Sequence, residues 1–380
     1  MNVAPDLIGF AAAAVVGSMG GLLLKRFVGW MLAELDAAMA VEEGRPEPVP
    51  LPSGQLSSWP VAAGFLLAVG LWWWEVTVAG LSPDGAPRSA AVTRVAGHLV
   101  FFWLLAAAAW VDIRHRVIPD IITTPGVVVG LLGTWLLPAI LLPVLIMSPR
   151  SFAAAEASAD LLTAWGGLQS GGPPVSPLGP VMAVGVFTIW WAVCTAPFFL
   201  VDERPAAGGL GWLRDGLREP RTLLLVAGLP LLMVAAWLGG ERFAAVESSL
   251  IGLAVSAGLV WLTRAGASLA LGREAMGMGD VTLMAMVGAW LGWQPAVLTF
   301  FLATFIGLGH GLLQLVRHRE NELPYGPSLC LAAAVVTLAW RPIWQLTSPF
   351  FADPLQLGLV LGLVVVLTAL TLFVWQRLRG

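Results

Sequence analysis

Two aspartates stand at the ends of apolar runs, where their carboxylates could do acid–base chemistry. Asp112 follows the apolar run 92–111, and Asp280 stands just before the run 281–294. Like charges a few ångströms apart cannot both stay ionised, so such a pair shares one proton. The ionised member could take a proton from water while the protonated member hydrogen-bonds a peptide carbonyl oxygen. Together they indicate hydrolysis of a peptide bond by an activated water.

Each acid alone also has a purely structural interpretation. Asp is a favoured N-cap residue, so Asp280 could satisfy the first amide groups of its own helix. Asp112 could pair with Arg114 or Arg116 at a solvated boundary. Asp120 stands at the start of the next apolar run, where capping is the favoured interpretation. The residue types alone leave these alternatives open.

The glycines before Asp280 have a use that fits either interpretation. Gly277 and Gly279 lack a Cβ atom, so a substrate backbone or a neighbouring helix can come close to them. No other catalytic set is evident, since the four histidines lack the spacing of metal ligands. Two cysteines allow neither a disulfide framework nor a four-cysteine zinc site. We therefore predict no metal and no cofactor.

The composition places these residues in a membrane protein. Of 380 residues, 58 % are hydrophobic and 11 % are charged, and the mean hydropathy is +0.84. Soluble domains carry about 25 % charged residues, so a soluble enzyme and a disordered chain are excluded. The net charge of −3 gives no basic field for nucleic acid. The 19 Trp suit two membrane–water interfaces.

Apolar runs near the length of about 20 residues that crosses a bilayer predict an all-α, polytopic integral membrane helical bundle with about eleven transmembrane helices. The predicted segments are 7–24, 60–80, 92–111, 121–146, 180–201, 222–239, 244–263, 281–294, 296–316, 326–340 and 355–376. Residues 25–59, which include an acidic and Pro-rich stretch, and residues 148–179 are predicted as loops.

The basic residues predict the orientation of this bundle. With the N-terminus outside, fifteen of the 20 Lys and Arg fall on the inner side, as cytoplasmic loops require. Four segments separate Asp112 from Asp280, so both acids fall on the cytoplasmic face. The acidic loop 25–59 falls there too, where it could attract a basic peptide or simply be solvated.

Three motifs around these residues resemble the type IV prepilin peptidase family, membrane aspartyl proteases of the Gly-x-Gly-Asp kind. The first begins Asp-Ile-Arg-His-Arg at Asp112, and the second is Gly-Met-Gly-Asp-Val-Thr-Leu from Gly277. The third, Leu-Pro-Tyr-Gly-Pro-Ser over 323–328, is similar to the family's Leu-Pro-Phe-Gly-Pro turn. The motifs occur in the family's order within 90–130 and 265–340.

This resemblance implies that Asp112 and Asp280 are the catalytic pair of a leader peptidase. The implied substrate is the basic leader of a type IV prepilin or pseudopilin, cut just before a hydrophobic helix at the cytoplasmic face of the inner membrane. Gly277 and Gly279 would shape the substrate approach. Pro119 and the turn with Pro324 and Gly326 would set helix ends near the site; these residues complete the predicted site.

The sequence departs from the family's pattern in three places. Thr282 stands where many members have Lys, so the charge that Lys would supply is missing. Residues 148–245, approximately, separate the first two motifs as an insertion. Members that also methylate the new N-terminus often have Cys-x-x-Cys in a cytoplasmic loop, and 25–59 holds no cysteine. We therefore divide the chain into 1–59, a degenerate methyltransferase-like region, and 60–380, the peptidase, and assign no S-adenosylmethionine.

Two other functions fit parts of the sequence. Paired intramembrane acids and extra spans also suit a proton-coupled transporter, although no inverted repeat stands out. Thr282 and the long insertion also suit a family member that keeps the fold without catalysis. The sequence leaves the oligomeric state open.

Overall fold

The computed structural model describes residues 3–42, 58–78, 81, 87–142, 145–147, 152–154, 178–195, 220–317, 325–351, 358–367, 370 and 377. Within these residues the protein is a bundle of α-helices, and its only sheet is a hairpin of two three-residue strands. The predicted all-α fold class is therefore confirmed. Pro324 and most of the predicted loop 148–179 lie outside the described residues.

Twelve α-helices lie within the described residues. They are α1 (Val3–Glu42), α2 (Trp59–Leu71, continued by a π-helical turn at Trp72–Thr77), α3 (Arg88–His115), α4 (Asp120–Leu136), α5 (Leu178–Thr195), α6 (Pro220–Leu238), α7 (Gly240–Leu271), α8 (Met278–Leu291), α9 (Trp293–Arg317), α10 (Gly326–Leu338), α11 (Trp340–Thr347) and α12 (Gly358–Leu367). The strands are β1 (Leu145–Met147) and β2 (Phe152–Ala154), paired antiparallel with Ile146 opposite Ala153.

Each of the eleven predicted spans overlaps a described helix, but four helices are long and apolar enough to cross a membrane. They are α1, α2 with its π-helical turn, α3 and α7. A fifth is possible if the pair Gly326–Leu338 and Trp340–Phe351, bent by 89°, forms one broken span. Five further apolar helices, α4, α5, α6, α8 and α12, are shorter. The count of eleven membrane crossings therefore stays a prediction.

Two predicted boundaries were wrong. The loop predicted to begin at residue 25 is helical as far as Glu42, because α1 continues past the end of its apolar run. The span predicted over 121–146 is helical only to Leu136, where a 3₁₀ turn over Pro138–Ile140 follows. Pro138 has no N–H to continue the helical hydrogen bonding.

Helix α8 lies at the centre of the bundle. Every residue from Asp280 to Leu291 is buried, as expected for a helix that is apolar on all sides. Helix α8 packs against α7, α4, α9 and α10. The indole of Trp290 donates a 2.8 Å hydrogen bond to the carbonyl oxygen of Gly126, which fixes α8 along α4. The position of Asp280 is therefore set by the most buried helix described.

The α7–α8 contact depends on two glycines that face each other. A Cβ atom on Gly288 would overlap the carbonyl oxygen of Gly252, and one on Gly252 would overlap that of Gly288. Beside them, the hydroxyl oxygen of Ser256 lies 2.6 Å from the carbonyl oxygens of both Gly252 and Met284. Small residues of this kind let apolar helix backbones approach closely.

Replacing Gly288 by Ala is expected to destabilise the protein. The added methyl group overlaps backbone atoms of α7, so the two helices must separate, at a cost of about 2 kcal/mol in unfolding free energy. Thermal unfolding in detergent, followed by near-UV circular dichroism, measures the change. The control is Gly185→Ala, where the new Cβ meets no atom within 4 Å. Equal melting temperatures for the two variants would contradict the packing role of Gly288.

A buried polar contact fixes α2 against α3 at the other end of the bundle. Glu75, in the π-helical turn, lies 2.8 Å from Nδ1 of His98, and both side chains are fully buried. Nε2 of His98 lies 3.2 Å from the carbonyl oxygen of Ile140. These contacts hold α3, the helix that ends in Asp112, against its neighbours.

Candidate active site

Asp112 and Asp280 lie at helix ends and are both nearly buried. Asp112 lies in the last turn of α3, with a relative exposure of 5 %, and Asp280 lies in the first turn of α8, with 9 %. Helix α3 ends at Arg116, which takes a left-handed conformation (φ 56°) and donates its N–H to the carbonyl oxygen of Asp112. The chain therefore turns directly after the first aspartate.

Both aspartates line one cavity of about 390 Å³. The cavity walls come from the end of α3, from the segment that precedes α4, from the segment that precedes α8 and from Tyr325. The Asp112 carboxylate also acts electrostatically on Asp280 as a like charge. Two acids separated by four helical segments in the sequence thus line one cavity.

Three helices begin at this cavity. Ile118 lies just before α4, Gly277 is the N-cap residue of α8, and Tyr325 is the N-cap residue of α10. The first N–H groups of a helix have no partner inside the helix and carry a partial positive charge. The backbone N–H of Gly326, in the first turn of α10, donates to the Asp112 carboxylate. These N–H groups therefore face the cavity that Asp112 and Asp280 line.

One oxygen of Asp112 is left available for other partners. Its Oδ2 is buried and makes no hydrogen bond to any residue that the structure describes. A water or a substrate group in the cavity would satisfy it.

The glycines of the second motif have different surroundings. A Cβ atom on Gly279 would lie 2.8 Å from Cβ and 3.0 Å from the carbonyl oxygen of Ile118, so Gly279 permits close contact with the segment before α4. Gly277 has an ordinary extended backbone, and its Cβ would meet only the Gly279 nitrogen, at 3.9 Å. Gly277 therefore borders open cavity.

The third motif approaches Asp112 from the opposite wall. A Cβ atom on Gly326 would lie 2.5 Å from Oδ2 of Asp112 and 2.8 Å from Cδ1 of Ile118. Pro119 is the N-cap residue of α4 and has an extended backbone (ψ 135°). Pro119 therefore ends the turn that carries Ile118 into the cavity wall.

The structure can be compared with the structural roles considered for these acids, which are helix capping and pairing with arginine. Gly277 and Pro119 are the N-cap residues, so neither Asp280 nor Asp120 occupies that position. Arg114 pairs with Asp36 of α1, at 3.0 Å. The same Asp36 lies in the stretch predicted as an acidic loop, where it is part of a helix and pairs with α3.

Tyr325 is a site residue that the sequence did not single out, and the contacts of Thr282, noted above only as a departure from the family's pattern, were not predicted either. Tyr325 lines the cavity, and its hydroxyl lies 3.4 Å from that of Thr304. It is the only tyrosine in the chain, which could have marked it. The Thr282 hydroxyl lies 3.1 Å from that of Thr123 and 3.5 Å from Oδ1 of Asp120. Thr282 thus links α8 to α4 through its uncharged hydroxyl group.

Together these features define a helical membrane protein with two aspartates in one cavity. Residues 220–312 match the family model described as the type IV leader peptidase family. Curated relatives named prepilin leader peptidase/N-methyltransferase also match. The resemblance predicted from the three motifs is therefore confirmed. The matched range contains the motif with Asp280 and begins inside the stretch predicted as an insertion.

The relatives match only part of their own length. The protein from Aeromonas hydrophila is 34 % identical over 116 residues, 29 % of this chain and 39 % of the relative. The protein from Stutzerimonas stutzeri is 37 % identical over 118 residues, with the same shares. The chain thus spans about two fifths of the length of these relatives. No solved structure matches it.

Proposed function

We propose that this chain is a membrane aspartyl endopeptidase that removes the basic leader of prepilin or pseudopilin-like proteins. The observation that carries the proposal is the cavity shared by Asp112 and Asp280. The names of the matched relatives support leader cleavage as the reaction. Two carboxylates that share a cavity can supply both the base and the acid that hydrolysis of a peptide bond needs.

The proposed reaction uses a water held between the two acids. The ionised carboxylate takes a proton from this water as the oxygen attacks the scissile carbonyl carbon. The protonated carboxylate donates a hydrogen bond to the carbonyl oxygen, and a proton then passes to the leaving nitrogen. The backbone N–H of Gly326 contacts the Asp112 carboxylate and holds it at the cavity.

We further propose that cleavage takes place at the cytoplasmic face of the inner membrane. The bias of Lys and Arg toward the predicted inner side supports this placement. A leader rich in basic residues would then reach the site without crossing the bilayer. Gly277, at the open side of the cavity, provides room for the substrate backbone.

Co-expression with a leader-bearing prepilin tests the proposal. We expect the chain to shorten the prepilin by its leader, and mass spectrometry of the product locates the cut before the hydrophobic segment. The same chain in sealed vesicles, with a pH-sensitive dye inside, tests the transporter alternative. Proton flux without cleavage would favour a transporter, and neither activity would favour a member that lacks catalysis; both results contradict the proposal.

A further inference from the structure

A second cavity lies beside the aspartate cavity and has a different character. Its volume is about 330 Å³, and it lies between α5, α7 and α8. We call it the apolar cleft. Two tryptophans, Trp190 of α5 and Trp261 of α7, contribute to its walls, and the other lining residues are small or aliphatic except for Met278 and Thr282.

The apolar cleft runs along the helices rather than across them. Lining residues on α5 fall at 186, 189, 190 and 193, and those on α8 at 278, 281, 282 and 285. This spacing is one face of a helix over two turns, which corresponds to a length of about 10 Å. An extended segment of about three residues has that length.

The apolar cleft meets the aspartate cavity at the first turn of α8. Met278 lines both cavities, and Asp280 stands directly before the cleft-lining Val281. A chain that passes the aspartates can therefore continue into the cleft without leaving the protein surface.

Thr282 keeps the cleft apolar close to the catalytic end. Its hydroxyl is engaged by the hydroxyl of Thr123, the carbonyl oxygen of Gly279 and, at 3.5 Å, a carboxylate oxygen of Asp120. The lining is almost entirely apolar atoms. A Lys at this position would bring a charged group to the same wall.

We propose that the apolar cleft binds the first hydrophobic residues that follow the cleaved bond of the substrate. This inference rests on the proposed function, because it places the basic leader on one side of the aspartates and the hydrophobic segment on the other. Helix α5, one wall of the cleft, belongs to the predicted insertion. The insertion would then contribute directly to the choice of substrate.

The variant Gly258→Leu tests the cleft without disturbing the fold. Gly258 lines the cleft, and a Cβ atom there would meet no atom within 4 Å. Leucine also favours the helix more than glycine does. We expect KM to rise about tenfold for prepilins with Leu or Phe just after the cut, since one apolar contact commonly contributes that much discrimination. The KM for prepilins with Ala at that position should not change.

The matched control is Gly70→Leu in α2. This position is also open for a side chain, and it is not part of the cleft. We expect its kinetic constants to equal those of the unmodified chain for every substrate. Equal constants for the two variants, or a fall in kcat that ignores the substrate residue, would overturn the proposed binding site.

Cross-linking separates this inference from the proposed function. A prepilin with benzoylphenylalanine at the second residue after the cut is irradiated with the Asp280→Asn variant. We expect cross-links to the cleft-lining residues of α5, α7 or α8, which proteolysis and mass spectrometry identify. Cross-links confined to other helices, or none, would overturn the cleft assignment even if the unmodified chain cleaves. Cleft cross-links without any cleavage by the unmodified chain would overturn the proposed function instead.

Discussion

Replacing Asp280 by Asn is expected to abolish leader cleavage, and Asp112→Asn is expected to do the same. An amide can neither accept the proton of the attacking water nor share a proton with its partner. The rate should fall by about 10³-fold or more, since both acid–base functions are lost together. Cleavage of a prepilin by the purified variants, followed over time by mass spectrometry, measures the loss.

The double variant gives the sharper form of this prediction. If the two carboxylates act as one unit, removing the second costs almost nothing once the first is gone. We therefore expect the cleavage rate of the double variant to equal that of either single variant. It should not fall by the product of the two single losses. Independent, multiplying effects would contradict a shared mechanism.

Asp120→Asn is the matched control for both aspartate variants. Asp120 also lies at a helix start near α8, where Thr282 contacts it at 3.5 Å, but it does not line the aspartate cavity. Its replacement should leave the cleavage rate nearly unchanged. A loss as large as that of Asp280→Asn would mean that the acidic environment, and not the pair, carries the activity.

The common depth of Asp112 and Asp280 could be predicted from the sequence because it depends on topology. Both residues stand at the ends of apolar runs, and an even number of segments separates them. The prediction of a common depth requires that all four segments cross the membrane, and the number of crossings stays a prediction. Hydropathy cannot predict lateral position in the bundle, which is set by contacts such as Gly252 with Gly288 and Trp290 with Gly126. Those contacts join residues that lie far apart in the sequence.

The boundary of α1 shows why hydropathy misplaces helix ends. The apolar run stops near Lys25, but the residues that follow it are mostly Ala, Leu, Met and Glu, which favour helix. Hydropathy reports where a chain can cross a membrane, not where it stays helical. Because α1 continues to Glu42, Asp36 lies beside Arg114 and pairs with it. The prediction of a loop gave no reason to expect this pair.

The role of Gly326 could not be predicted from its own neighbourhood in the sequence. Its motif marks a turn, but only the folded chain brings that turn to Asp112, on another helix. The same holds for Gly279 and Ile118. A glycine that is needed for contact with a distant residue looks, in the sequence, like a glycine that is needed for its own backbone.

Gly326→Ala is expected to reduce cleavage by about 100-fold while leaving the protein folded. The new methyl group would lie 2.5 Å from Oδ2 of Asp112, so the carboxylate must rotate away from its position in the cavity. A displacement of about 1 Å at a catalytic group can cost that factor. The backbone N–H of residue 326 remains, so its hydrogen bond is not the group removed.

The fold should tolerate this change because the atoms that the methyl group meets are the ends of side chains. Oδ2 of Asp112 and Cδ1 of Ile118 can both move by rotation about side-chain bonds. We therefore expect a fall in kcat with a melting temperature close to that of the unmodified chain. A large loss of stability together with the loss of activity would show that Gly326 acts through the fold.

Gly307→Ala provides the control for Gly326→Ala on the neighbouring helix α9. Its Cβ atom would lie 3.5 Å from the ring of Tyr325, an ordinary contact that requires no movement. Both variants add one methyl group near the same turn, but only one of them reaches the Asp112 carboxylate. The difference in cleavage activity between the two variants therefore reports the effect of moving that carboxylate. Equal activities would mean that cleavage does not depend on the position of the Asp112 carboxylate.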